Sequence, residues 1–352
     1  MQRIARWIEA WWWRSSSPPP LALRLLSAVY GALWRLHRAT YRSGIRRAAR
    51  LDVPVVVVGN LVAGGAGKTP TTMAIVRLLR DRGRHPGVVS RGWGRRRHAV
   101  APVGVDSTAA DVGDEPLLIQ RRLGVPVVVG RDRVAAARRL HRDHPDVDVI
   151  VCDDGLQHLR LARDVDVVVI DGRVVGNGRL LPAGPLRQPV PAQVPPRWLV
   201  VHNAPSPALP WPGVIAQRRL AGAVALADWW RGAAPDPAAL DAQRGRRVLA
   251  AAGLAEPQRF FEMLGAAGLD VQSLPLPDHE PFDVLPWAPE TTDVLVTEKD
   301  AVKLAPGRTG STRVWVVALD FLLDASFGDE IVRRLAGCTA PSLKRSEPWI
   351  TD

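Results

Sequence analysis

A glycine-rich loop followed by Lys68 and Thr69 is the segment whose residue types point most directly to chemistry. The residues from Val62 to Thr69 read Val-Ala-Gly-Gly-Ala-Gly-Lys-Thr. Glycines in such a loop allow backbone N–H groups to turn towards phosphate oxygens, because no Cβ atom obstructs them. The lysine would reach the β- and γ-phosphates of a nucleotide, and the Thr69 hydroxyl would ligate Mg²⁺. The loop therefore predicts a phosphate-binding site.

The match to the strict P-loop pattern is imperfect. That pattern has a glycine five places before Gly67, where this chain has Val62. A plain glycine-rich turn is therefore the alternative. The Gly-Gly-x-Gly-Lys-Thr form also occurs in partitioning-type ATPases, but those carry a second lysine where this chain has Ala63, which disfavours that subgroup.

Two acidic clusters could serve the same chemistry. Asp153 and Asp154 directly follow the apolar run 147–152, and P-loop enzymes hold Mg²⁺ with a carboxylate at the end of such a strand. A simple turn is the alternative for this pair. Asp114 and Glu115 are either functional carboxylates or acidic residues that stabilise the first turn of a helix.

An arginine and a histidine lie in loops of unusual composition. Arg187 ends the segment 176–187, which is rich in glycine and proline. It could reach a phosphate from there, or it could simply be solvated. His279 follows Asp278 in another loop, and a surface histidine with no special function is the alternative.

The elements that must position these residues alternate between strand and helix. The continuous apolar run 53–58 is typical of a strand buried on both faces, and further strands are predicted at 85–90, 125–130, 147–152 and 165–170. This order predicts a doubly wound parallel sheet, in which ligands bind at the carboxyl ends of strands. A second alternating region follows a proline-rich stretch at about 187–212. We predict a basic, Trp-rich N-terminal helix over 1–50, a P-loop domain over 51–200, a smaller α/β/α domain over 201–340 and a tail over 341–352.

Composition and charge restrict the partners. A chain of 352 residues with a net charge of +12 suits an anionic membrane, nucleic acid or an acidic substrate. The N-terminal region combines tryptophans, leucines and arginines, but its apolar part is too short for a comfortable span and contains Arg24 and Arg35. It predicts a helix at a membrane interface, with an amphipathic helix packed on its own domain as the alternative. Nucleic acid is not expected, because the arginines flank an apolar segment.

The two cysteines lack metal-ligand spacing and imply no disulfide framework.

Seven segments in a fixed order resemble the tetraacyldisaccharide 4′-kinase family, the lipid A 4′-kinases of Gram-negative bacteria. The resemblance runs from about residue 20 to 335, and it rests on the segments 59–70, 90–94, 113–116, 153–158, 181–187, 278–282 and 297–304. It implies two α/β/α domains, the first P-loop NTPase-like, and association with the cytoplasmic face of the bacterial inner membrane through an N-terminal helix. The implied reaction transfers the γ-phosphate of ATP to the 4′-hydroxyl of tetraacyldisaccharide 1-phosphate.

The resemblance also implies residue roles. The implied ATP-binding residues are Val62, Ala63, Gly64, Gly65, Ala66, Gly67, Lys68 and Thr69. The implied Mg²⁺ ligands are Thr69, Glu115, Asp153 and Asp154, and the implied catalytic residues are Asp114, His279, Arg133 and Arg187. One departure is Gln188, since relatives usually have a glutamate at that position.

A second class of function is a P-loop ATPase or GTPase switch that acts on a protein or nucleic-acid partner. The lack of a second lysine at Ala63 and of a base-recognition motif argues against it. The lipid disaccharide and the anionic inner-membrane surface are therefore the expected partners, and no obligate protein partner is evident.

Overall fold

The computed structural model describes residues 2–13 and 18–337, so the predicted tail at 341–352 lies outside the described residues. In chain order, the helices are α1 (Gln2–Trp12), α2 (Leu21–Arg42), α3 (Lys68–Arg80), α4 (Ala109–Val112), α5 (Asp114–Leu123), α6 (Arg133–Asp143), α7 (Leu226–Trp230), α8 (Pro237–Asp241), α9 (Pro257–Ala266), α10 (Glu298–Ala301) and α11 (Ala325–Ala336). The strands are β1 (Val55–Asn60), β2 (Pro86–Ser90), β3 (Ala101–Pro102), β4 (Val127–Val129), β5 (Val149–Cys152), β6 (Val165–Asp171), β7 (Trp198–Asn203), β8 (Val214–Ile215), β9 (Gln217–Ala225), β10 (Arg247–Ala252), β11 (Asp270–Pro275), β12 (Asp293–Thr297) and β13 (Arg313–Leu322).

The chain forms two units, and neither is continuous in sequence. Within the described residues, the first unit comprises the chain up to residue 90, residues 132–216 and the segment from residue 323. The second unit comprises residues 91–131 and 217–322. The predicted kinase domain at 51–200 included 91–131, which the structure groups with the C-terminal region instead.

The first unit contains parallel strands in the order β2-β5-β1-β6-β7-β8. Every residue of β1, β5 and β6 is buried, as the apolar runs predicted. Strand β7 lies inside the stretch that the sequence marked as a proline-rich boundary. Its six residues contain no proline, so each backbone N–H is available to the sheet.

The second unit contains a five-stranded mixed sheet in the order β11-β10-β12-β13-β9. Four of these strands run parallel, and β9 pairs antiparallel with β13. The core of this sheet includes Phe260, Phe261 and Leu264, which lie on one face of α9. Strands β3 and β4 form a short antiparallel pair in the same unit. The predicted α/β class with parallel strands is therefore confirmed.

Helix α2 has one packed face and one exposed apolar face. The Ser27 hydroxyl donates a hydrogen bond of 2.8 Å to the Leu180 carbonyl, and the Tyr30 hydroxyl donates one of 2.7 Å to the Arg187 carbonyl. The exposed face consists of large apolar side chains that are each more than half accessible: Leu21, Leu25, Leu26, Val29, Leu33 and Leu36. Over residues 2–13 and 18–337, no helix combines the length and the apolar character needed to cross a bilayer.

Candidate functional site

The glycine-rich loop connects a buried strand to the start of a helix. Strand β1 ends at Asn60, and α3 begins at Lys68. Gly64 and Gly67 have φ angles of +96° and +87°, a region that side chains other than glycine rarely adopt. The loop therefore needs glycine at these two positions, and its backbone N–H groups lie at a helix N-terminus, where the helix dipole attracts an anion.

Two cations surround Asp154 beside this loop. The Nζ atom of Lys68 lies 3.7 Å from the Oδ1 atom of Asp154, and a guanidinium nitrogen of Arg187 lies 2.8 Å from the same oxygen. Burial raises the pKa of Asp154, but the charges of Lys68 and Arg187 outweigh burial and hold that pKa below its ordinary value. Asp154 therefore stays ionised and holds both cations in place.

Two hydroxyl groups donate hydrogen bonds to the Asp153 carboxylate and orient it. The Thr72 hydroxyl donates a hydrogen bond of 2.8 Å to one carboxylate oxygen, and the Ser90 hydroxyl donates one of 3.4 Å to the other. Asp153 and Thr69 are both buried, with 1% and 6% of their surface accessible. Carboxylate and hydroxyl oxygens are the hard donors that Mg²⁺ prefers. No group of three or more His, Cys, Asp or Glu side chains able to hold a metal occurs in the described part of the chain, but nucleotide-bound Mg²⁺ takes few protein ligands and completes its shell with phosphate and water.

Arg133 contacts the backbone of Asp154, and Gln188 is linked through Gln157 to Asn60 at the end of β1. Arg133 begins α6 and donates a hydrogen bond of 3.2 Å to the Asp154 carbonyl. Gln157 donates hydrogen bonds to the Gln188 side chain (3.2 Å) and to the Asn60 carbonyl (3.0 Å). The neutral Gln188 amide thus accepts a hydrogen bond from Gln157 at the position where the resemblance led us to expect a glutamate.

Asp114 and His279 form a hydrogen-bonded pair in the second unit. The Nδ1 atom of His279 lies 2.8 Å from the Oδ2 atom of Asp114, and the other Asp114 oxygen accepts the Glu115 backbone N–H at 2.9 Å. Burial lowers the pKa of His279, but the hydrogen bond to Asp114 and the negative charges of Asp114 and Asp278 together outweigh burial and raise that pKa above its ordinary value. The sequence-based domain boundaries placed the two residues on different domains, whereas the structure places both in one unit.

The segments 90–94 and 113–116 approach each other closely beside this pair. A Cβ atom added at Gly92 would lie 2.5 Å from the Val112 carbonyl oxygen, and one added at Gly113 would lie 2.9 Å from the Trp93 carbonyl oxygen. Both glycines also have positive φ angles, of +66° and +94°. This backbone contact fixes where α5 begins and hence where Asp114 lies.

Lys299 lies within the segment 297–304, and no role was predicted for it from the sequence. Its Nζ atom lies 2.7 Å from Asp278 and 3.6 Å from Glu115, so it links the two acidic neighbours of the Asp114–His279 pair. Burial lowers the pKa of Lys299, but Glu115 and Asp278 outweigh burial and raise it above its ordinary value. The signal available in the sequence was the excess of carboxylates at 114, 115 and 278, which calls for a nearby cation.

The structure therefore gathers the predicted residues into two groups. The first unit holds the phosphate loop with Arg133, Asp153, Asp154 and Arg187, and the second holds Asp114, Glu115 and His279. Glu115, expected from the resemblance to ligate Mg²⁺, is ion-paired with Lys299. The first group can bind phosphate, and the second can accept a proton.

A family model, individual relatives and a solved structure all match this chain and agree with one another on the family. Residues 20–336 match the family described as Tetraacyldisaccharide-1-P 4′-kinase. A Tetraacyldisaccharide 4′-kinase of Methylibium petroleiphilum is 57% identical over 311 residues, covering 87% of each chain. One of Leptothrix cholodnii is 54% identical over 318 residues, covering 89% of this chain and 91% of the relative. The crystal structure of LpxK from Aquifex aeolicus in complex with ATP superposes with a TM-score of 0.72 at 26% identity, covering 89% of this chain and 98% of that one.

Proposed function

This chain belongs to the tetraacyldisaccharide-1-P 4′-kinase family, and we propose that its phosphate loop and its Asp114–His279 pair perform the two halves of that family's reaction. The enzyme is an ATP-dependent kinase that phosphorylates the 4′-hydroxyl of tetraacyldisaccharide 1-phosphate in lipid A biosynthesis. The nucleotide switch that was the alternative is not favoured by these relatives. The single observation that carries the assignment of residues is the 2.8 Å contact of His279 with Asp114, because it provides a base for an acceptor hydroxyl.

The phosphate half uses positive charge and aligned N–H groups. Lys68 contacts the γ-phosphoryl group during transfer, and Arg187 neutralises the negative charge on the same group. Phosphoryl transfer demands positioning and charge stabilisation more than covalent chemistry. Thr69 and Asp153 would hold Mg²⁺, which would neutralise phosphate oxygens when bound. Asp154 keeps the two cations at the loop.

The acceptor half uses a histidine oriented by a carboxylate. An alcohol has a pKa far above neutrality, so a base must take its proton as the new bond forms. When Nδ1 of neutral His279 donates its hydrogen to Asp114, the lone pair of Nε2 is available for the acceptor proton. Lys299 offsets the charge of Glu115 and Asp278, which would otherwise favour protonated His279.

The direct test is transfer of radiolabelled phosphate from ATP to the tetraacyl disaccharide in detergent micelles. We expect labelled lipid product, and ATP turnover that rises when the acceptor is added. ATP turnover that is indifferent to the acceptor and yields no labelled lipid would contradict the proposed function.

The pH dependence of kcat reports on His279. The base must be neutral, and Asp114 raises the pKa of His279, so kcat should fall as the pH drops through that raised value. Asp114→Asn removes the charge that raises the pKa, so the acidic limb of the profile should move to lower pH. Asp278 and Lys299, the other charged groups facing His279, remain in the variant. An unmoved limb would show that another group controls it.

We also propose that the exposed apolar face of α2 lies at the cytoplasmic surface of the inner membrane. Supporting this are the six large exposed apolar side chains on that face and the net charge of +12. An amphipathic helix binds an anionic bilayer through apolar burial together with electrostatic attraction. The acceptor lipid resides in that bilayer, so attachment there raises its effective concentration.

Replacing Leu25, Val29 and Leu33 with serine tests this attachment. These side chains are 57–61% exposed, so their loss should leave the contacts of Ser27 and Tyr30 and the fold intact. We expect the variant to bind anionic vesicles more weakly and to have a higher KM for lipid, with an unchanged KM for ATP. Unchanged vesicle binding and lipid KM would place the membrane contact elsewhere.

A further inference from the structure

Four successive carbonyl groups of the phosphate loop each accept a hydrogen bond from a side chain. The pairs are Gly64 with Lys68 Nζ (3.3 Å), Gly65 with Arg173 Nη2 (2.7 Å), Ala66 with Asn203 Nδ2 (2.8 Å) and Gly67 with Thr71 Oγ1 (2.8 Å). Lys68 and Thr71 belong to the loop's own helix. Arg173 lies just after the end of β6 and Asn203 is the last residue of β7, and both are more than a hundred residues away in sequence.

Because the peptide bond is planar, a contact that fixes a carbonyl group also fixes the direction of the N–H group in the same peptide bond. In a trans peptide, the C=O of one residue and the N–H of the next point in opposite directions. Holding the Gly65 and Ala66 carbonyls on one side therefore directs the N–H groups of Ala66 and Gly67 to the other side. We propose that Arg173 and Asn203 are positioning residues that hold the phosphate loop in the shape that binds the phosphates of ATP. The inference rests on the proposed function, in which this loop binds ATP.

Arg173 is itself held rigidly. Its backbone N–H and its Nε atom each donate a hydrogen bond of 3.0 Å to Asp171, one to each carboxylate oxygen. The Asp171 side chain is only 2% exposed, and a charged pair in such a site is weakly screened. Asp171 is also paired in register with Asn203 across β6 and β7. The ends of two buried strands thus set the conformation of a loop whose glycines alone would leave it free to move.

The N-terminal helix contributes to the same arrangement. The Trp13 ring lies 4.8 Å from the Arg173 guanidinium carbon, a cation–π contact. Asn177 fixes the end of α1, since its backbone N–H and its side chain donate hydrogen bonds of 2.8 Å and 3.0 Å to the Trp12 and Trp11 carbonyls. These tryptophans precede residue 20, where the match to the family begins. In this chain, the tryptophan that directly follows α1 therefore helps to hold Arg173.

Arg173→Met and Asn203→Leu test the two positions, since each removes a donor and keeps a similar volume. Loss of a hydrogen bond to a loop carbonyl should raise the KM for ATP about tenfold, while the KM for lipid stays unchanged. The shift in Tm that ATP produces should shrink in both variants, and Tm without ATP shows whether the variants fold. Arg142→Met is the matched control, because Arg142 is 70% exposed on α6.

The outcomes separate this inference from the proposed function. If Lys68→Ala abolishes ATP binding while folded Arg173→Met and Asn203→Leu keep the wild-type KM for ATP, the positioning role is wrong and the site stands. If Lys68→Ala also leaves ATP binding unchanged, the proposed function of the loop is wrong. Equal losses for ATP and lipid in folded variants would also overturn the inference, since a phosphate-loop contact should act on ATP alone.

Trp13→Leu should act through Arg173. Removing an exposed cation–π contact should raise the KM for ATP about two- to fivefold. In the double variant with Arg173→Met, Trp13→Leu should not raise the KM for ATP further, because the guanidinium that the Trp13 ring restrains is absent. Fully multiplicative effects would show that α1 does not act through Arg173.

Discussion

Lys68→Ala is expected to reduce phosphate transfer by about 10²–10³-fold, the usual cost of removing one charge-stabilising group from a reaction site. Lys68 lies at the first position of α3, and its Nζ atom also contacts the Gly64 carbonyl and the Asp154 carboxylate. The substitution removes the ammonium and leaves Asp154 paired with Arg187 alone. Steady-state transfer of labelled phosphate to the lipid measures the loss.

Arg142→Ala provides the control for Lys68→Ala, because it removes one positive charge from an exposed position in the same unit. We expect near wild-type transfer in this control and a similar Tm in both variants. Near wild-type transfer by folded Lys68→Ala would show that the loop does not bind the transferring phosphate.

Asp114 and His279 are expected to act as one unit. Loss of a general base costs about 10²–10⁴-fold in rate, so Asp114→Ala and His279→Ala should each fall within that range. Groups that act together are strongly non-additive, so the double variant should be barely slower than the slower single variant. The kcat values of the four proteins in this cycle measure the coupling.

Asp241→Asn is the matched control for the pair, because Asp241 is a carboxylate of the second unit that is 58% exposed and pairs with the neighbouring Arg244. It should not change kcat. Rate losses for Asp114→Ala and His279→Ala that multiply in the double variant would mean that the two residues act independently, despite the 2.8 Å contact.

Some parts of the structure could be read from local sequence. The buried strands β1, β5 and β6 follow from predominantly apolar runs, because a strand covered on both faces carries few polar side chains. The start of α3 after a glycine-rich turn follows equally, since Gly64 and Gly67 adopt positive φ angles that other residues avoid. Placing Asp153 and Asp154 beside the phosphate loop followed from the rule that the ends of parallel strands share one edge of a sheet.

Other parts depended on contacts between residues far apart in the chain. The sequence pattern of residues 91–131 predicts strands and helices but does not show to which unit they belong. The structure groups this segment with residues 217–322. The contacts of Lys299 and Gln157 could not be predicted from local sequence, because their partners are brought near only by folding. The same holds for α2, where the tryptophans, leucines and arginines predicted a helix at a membrane interface but could not show that a packed face and an exposed apolar face coexist.

The sequence by itself determined the chemistry that is available: a phosphate loop, carboxylates at strand ends, and a histidine beside an acid. Only the tertiary structure determined which of these groups contact one another. It joined Asp114 to His279 within one unit, and it brought Arg173 and Asn203 from β6 and β7 to the carbonyls of Gly65 and Ala66. The physical reason is that residue type and spacing fix local backbone conformation, whereas a hydrogen bond of about 3 Å between distant residues depends on how whole strands and helices pack.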